Sequence, residues 1–68
     1  DYASAIRYYK KSISLKRYST VLDLAYLYDY LANIENNKTY NNMAKSLIKY
    51  YYKFLDDEIK IECKQFLE

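Results

Sequence analysis

The chain has 68 residues, 51% of them hydrophobic, 29% charged, and a net charge of +2. That is one small domain or a piece of one, apolar enough to hold a core and too balanced in charge to read as disordered. It has no glycine, no proline, no histidine and a single cysteine, which excludes phosphate-cradling loops, cysteine–histidine pairs, zinc sets and an internal disulfide.

The absence of glycine makes positive φ angles costly, so tight hairpins are disfavoured and an all-α fold of about four helices is expected. The first helix is predicted over residues 2–17. Tyr2, Ile6, Tyr9 and Ile13 fall on neighbouring apolar rows, while Arg7, Lys10, Lys11, Ser14 and Arg17 recur on the opposite side. The second is predicted over 19–35, with Ser19 as its N-cap. Its stretch TVLDLAYLYDYLANI is apolar almost all round, the pattern of a central helix packed on more than one side. ENNK then breaks the chain, because asparagine competes for backbone hydrogen bonds and tolerates left-handed geometry.

The third helix is predicted over 39–55, with Ala44, Leu47, Ile48, Tyr51 and Leu55 as its core face. Lys45, Lys49, Tyr52 and Lys53 lie away from that face. Within the Tyr50–Tyr51–Tyr52 triplet, Tyr51 is expected in the core. Tyr50 should flank it on the Met43–Leu47–Phe54 side, and Tyr52 should be exposed among lysines. Asp56 and Asp57 suit the start of a fourth helix over 57–67, so the Asp56–Asp57–Glu58 cluster reads as capping, not catalysis. Ile59, Cys63, Phe66 and Leu67 give this helix an apolar side, with Cys63 as a small core residue.

Eleven residues are tyrosine. Tyrosine, lysine, asparagine and isoleucine all have AT-rich codons, so an AT-rich genome explains part of the excess. The chain starts at Asp1 without an initiator methionine and is expected to be a segment of something longer. A lone cysteine fits a reducing, cytoplasmic location. Asp23 and Asp29 interrupt the most apolar run before it reaches the ~20 residues of a membrane span.

YASAIRYYKKSISL and YNNMAKSLIKYYYKFL align with Tyr2 over Tyr40, Ala5 over Met43 or Ala44, and Tyr9 over Leu47. DYASAIRYYKKSISL resembles the second helix of a tetratricopeptide (TPR) repeat, with Ala5, Tyr9 and Ser12 at its small–aromatic–small spacing. LAYLY, with Leu24, Ala25 and Tyr28, resembles the first helix of the following repeat. The longer turn around IENNK is similar to that of Sel1-like repeats. Alanine stands where the first helix usually has glycine, and Arg17 where proline usually ends the repeat. The resemblance implies antiparallel helical hairpins stacked as a TPR-like solenoid fragment, with helices two and four lining the concave face.

Charge alternates by helix. Residues 1–18 and 38–53 are basic, and residues 19–37 and 54–68 are acidic. The expected function is a non-enzymatic protein-interaction module or scaffold. Ser19, Asp23, Tyr26, Asp29 and Tyr30 share one stripe of the second helix. They would receive a peptide or partner helix, a basic one fitting best through charge pairing and cation–π contact. The alternative is nucleic-acid binding by a basic face of Arg7, Lys10, Lys11, Arg17, Lys45, Lys49, Tyr52 and Lys53. The modest net charge disfavours it, since a lysine-rich helix face is usually only solvated. If neighbouring repeats bury helix two all round, the same stripe is packing alone. No cofactor, metal, membrane or small-molecule substrate is expected.

Overall fold

Asp1 starts the fold. Its carboxylate accepts the Ala3 N–H at 3.1 Å and the Ser4 hydroxyl at 2.7 Å, satisfying groups that the start of α1 (Tyr2–Ser14) would leave free. The computed structural model describes residues 1–67, and every regular element among them is helical. α1 stops three residues before the expected Arg17. The amide of Lys16 returns to the Ile13 carbonyl at 2.9 Å and that of Arg17 to the Ser12 carbonyl at 3.0 Å. Lys16 takes a φ of 65° to allow this. Such a paired closure usually uses glycine at the left-handed position; with no glycine in the chain, a lysine occupies it.

α2 (Thr20–Glu35) begins without the expected Ser19 side-chain cap. Ser19 has helical backbone angles, φ −60° and ψ −24°. A capping hydroxyl normally needs an extended backbone to reach the free amides. Thr20 and Val21 instead donate their N–H groups to the Arg17 and Tyr18 carbonyls, and the Thr20 hydroxyl donates to the Arg17 carbonyl at 2.8 Å. The ENNK break is as expected. Asn36 is left-handed at φ 50° and closes α2. Asn37 is extended, and its side chain accepts the Thr39 N–H at 3.0 Å to open α3 (Lys38–Tyr51).

α3 tightens into a single 3₁₀ turn, Tyr52–Phe54, before the extended Leu55. α4 (Asp57–Leu67) follows, with the Asp56 carbonyl accepting the Lys60 N–H at 2.9 Å and Asp57 and Glu58 in the first turn, where acidic charge favours the helix start.

α2 is central. It buries Val21, Leu22, Leu24, Ala25, Tyr28, Leu31 and Ala32 and packs against both α1 and α3. Ile13, Ala44, Ile48, Leu55 and Cys63 complete the core. The Cα extents are 31 × 27 × 15 Å. The thin dimension is what two helix layers need, with axes about 8–10 Å apart and Cα radii of about 2.3 Å.

The tyrosine triplet departs from expectation at two of its three positions. Tyr50, expected to flank the core, is 71% exposed. Tyr52, expected to be exposed, is half-buried against the core, with the Lys60 ammonium 5.3 Å above its ring. Ordinary helix phase accounts for both: Tyr52 keeps helical backbone angles and stands four residues, about 40° around, from the fully buried Ile48, whereas Tyr50 stands two residues, about 200° around, from it. Tyr51 packs on the core as expected, edge-on to Tyr50 at 4.8 Å.

Candidate interaction surface

α1 and α3 pack against α2, α4 touches it through Phe66, and one row of α2 stays open. Ser19, Asp23, Tyr26 and Tyr30 are exposed and Asp29 is half-buried, whereas Leu24, Ala25, Tyr28 and Leu31 are buried on the other side. The helix is therefore not packed all round, and the expected stripe reaches solvent.

Each ring of the row leans on a neighbouring helix. Tyr30 meets Tyr2 of α1 at a centroid distance of 5.7 Å, and Tyr26 meets Phe66 of α4 edge-on at 5.2 Å. The Asp29 carboxylate accepts the Asn41 side-chain amide of α3 at 3.0 Å. The row is thus an open strip, or trough, that touches Tyr2 of α1 at Tyr30 and Phe66 of α4 at Tyr26. Tyr26 and Tyr30 keep 48% and 50% of their surface exposed, enough for a ligand to reach both rings.

The trough is acidic. Asp23 and Asp29 lie on its floor, and Glu62 of α4 lies beside Tyr26. Burial first, and the Glu62 charge next, hold the Tyr26 phenol above its ordinary value. On the α1 rim, hydrogen bonding with the Tyr30 hydroxyl is the leading cause of an equally directed shift at Tyr2. Tyr2, Glu62 and Phe66 were not singled out from the sequence as part of this surface. Glu62 and Phe66 lie four residues apart on α4, a spacing that places them on one face, but nothing in the sequence shows which neighbour that face meets.

The basic residues do not form one comparable surface. Arg7, Lys10, Lys11, Arg17, Lys45, Lys49 and Lys53 are all exposed. Lys10 sits with Leu47 and Tyr51 at a shallow recess between α1 and α3, while Lys49 and Tyr52 sit with Lys64 and Leu67 at another beside α4. Arg17 belongs to the turn before α2. Tyr52 is held under Lys60, which removes it as an open stacking platform on that face.

Among the described residues no group of three or more metal-ligating side chains comes together, and no helix is long and apolar enough to cross a membrane. Comparison with protein-family models, curated proteins and solved structures finds no match.

Proposed function

We propose that this domain is a protein-interaction module whose α2 trough receives a basic peptide or helix. The observation that carries the reading is the open row of α2. A helix buried on its other sides leaves two tyrosines and an aspartate in solvent. Exposed aromatic rings beside unneutralised carboxylates suit lysine and arginine side chains. A cation gains from the ring face and from the carboxylate together.

A helical-hairpin repeat of the TPR or Sel1 kind is the arrangement we propose for the chain. Ile6, Tyr9 and Ile13 of α1 and Ala44, Leu47 and Tyr51 of α3 are turned inward at the same 38-residue offset, which supports it. In such an array α2 and α4 line the concave side, where the trough lies. The free, buried thiol of Cys63 fits a reducing, cytoplasmic setting.

Fluorescence anisotropy with labelled peptides of one length, either Lys/Arg-rich, uncharged or Asp/Glu-rich, tests the reading. The basic peptide binds best, and added salt weakens it. Asp23→Lys weakens it at least about tenfold, while Glu35→Lys, the same charge change at the end of α2, has a much smaller effect. Equal losses from the two variants, or equal binding of the acidic peptide, overturn the assignment.

A further inference from the structure

A second concavity, of about 410 Å³, lies where the turn before α2 meets the turn before α4. It touches the α2 row only at Ser19 and stands independently of the trough. We infer that it is a binding site for a small organic anion, one whose carboxylate or phosphate is carried on a flat apolar body.

Three observations converge on that chemistry. The first is charge. Lys16 and Arg17 line the cavity from one turn, and Asp56 faces them from the other. The second is a prepared polar group. Ser12 is 4% exposed and lines the cavity. Its hydroxyl takes part in none of the side-chain hydrogen bonds of the described residues, yet no sealed side-chain oxygen among them lacks a partner. Its hydroxyl is a hydrogen-bond donor that an anion bound in the cavity would meet. The third is an aromatic wall. Tyr18 and Phe54 stack at 4.9 Å with 16° between their planes, and the Lys53 ammonium lies 5.2 Å over the Phe54 ring.

The volume falls within the range of small-molecule sites, about 300–1,000 Å³, and is far larger than a bare inorganic ion requires. A ligand that fills it presents its anionic end to Arg17, Lys16 and Ser12 and sets its apolar body against the edges of the Tyr18 and Phe54 rings, whose faces are stacked on each other. Arginine offers paired donors to either oxyanion, so the protein side of the contact is the same for carboxylate and phosphate. Asp56 opposes an anion at close range, and its charge lowers the affinity.

Amide chemical shifts read out the test, with phenyl phosphate, benzoate and uncharged benzyl alcohol as probes. The two anions move the amides of residues 16–20 and 55 saturably, and the tighter of the two identifies which oxyanion the site prefers. Benzyl alcohol binds at least about tenfold more weakly. Arg17→Gln weakens the anions by a similar factor, and Lys45→Gln on the outer side of α3 leaves them unchanged. Asp56→Asn tightens them, a gain that loss of folding cannot mimic. The proposal fails if the shifts spread over all the lysines, if benzyl alcohol binds as well as the anions, if Arg17→Gln behaves as Lys45→Gln does, or if Asp56→Asn binds no tighter.

Discussion

Leu24 and Tyr26 stand two residues apart on α2, and the fold gives them opposite surroundings. Leu24 is 1% exposed within the core cluster. Leu24→Ala removes an isopropyl group and leaves a cavity that packed neighbours fill only in part, at a cost of about 2–5 kcal/mol. A domain of this length holds only about 3–10 kcal/mol in total, at roughly 0.05–0.15 kcal/mol per residue. The substitution therefore consumes a large share of the stability and lowers Tm by roughly 8–40 °C, at about 4–8 °C per kcal/mol. Tyr26→Ala leaves the core filled. It loses a half-exposed ring and its edge-on contact with Phe66, worth about 0.5–1.5 kcal/mol beyond burial, so the total is roughly 1–2 kcal/mol. Far-UV circular dichroism melts and urea titrations of the two variants separate these outcomes. Equal losses at the two sites would mean that Tyr26 belongs to the core and that the trough does not exist.

The tyrosine triplet supplies a second comparison: Tyr50→Ala, at a mostly exposed ring, costs less than about 1 kcal/mol. Tyr52→Ala costs more, because it removes the ring that packs on the core and carries Lys60, and urea midpoints of the pair should fall in that order. Asn37→Ala removes the cap that holds the Thr39 amide and costs about 0.5–2 kcal/mol by the same measurement. Burial, and then Glu62, hold the Cys63 thiol above its ordinary 9.0, and the Tyr26 phenol lies above 10.0 for the same causes. The unfolded chain loses these protons first, so their stabilisation is complete below pH 9 and drains away as the pH climbs through the folded values. Urea midpoints between about pH 8 and about pH 10 therefore fall, and Cys63→Ala makes the early part of that fall shallower.

Long-period patterns were legible in the sequence because burial enforces them. Leu24, Ala25, Tyr28 and Leu31 on α2, and Ala44 and Ile48 on α3, follow the helical spacing and are buried as that spacing predicts. The asparagine break was legible because Asn36 and Asn37 carry their own turn chemistry. The failures lie at helix ends, where a few backbone hydrogen bonds outweigh the pattern. Lys16 closes α1 in a conformation that sequence rules assign to glycine, and at the end of α3 the expected roles of Tyr50 and Tyr52 are reversed because the i, i+4 spacing from the buried Ile48 selects Tyr52. The candidate stripe on α2 could be read from spacing alone. Its rims could not, because the Tyr30–Tyr2 and Tyr26–Phe66 contacts depend on how the helices pack.

The two proposed sites act on different parts of a small fold, and that difference can be observed. α4 buries a single side chain, Cys63, and its other holds lie at the rim: Phe66 against Tyr26, Lys60 over Tyr52, and Ile59 and Leu67 beside the core. Such an element opens at lower free energy than the centre of α2, since local opening exploits the least buried contacts. A ligand in the trough touches α2 and the outer half of α4 together, and it binds the closed arrangement better than the open one. It therefore stabilises that arrangement in proportion to its saturation, and slowed amide exchange is expected first around Glu62 and Phe66. A ligand in the turn cavity bridges Arg17 and Tyr18 to Phe54 and the start of α4, so its protection is centred on the two turns. Hydrogen exchange with a basic peptide and then with phenyl phosphate should give these two patterns. If both ligands protect the same amides, the two surfaces do not act as separate sites.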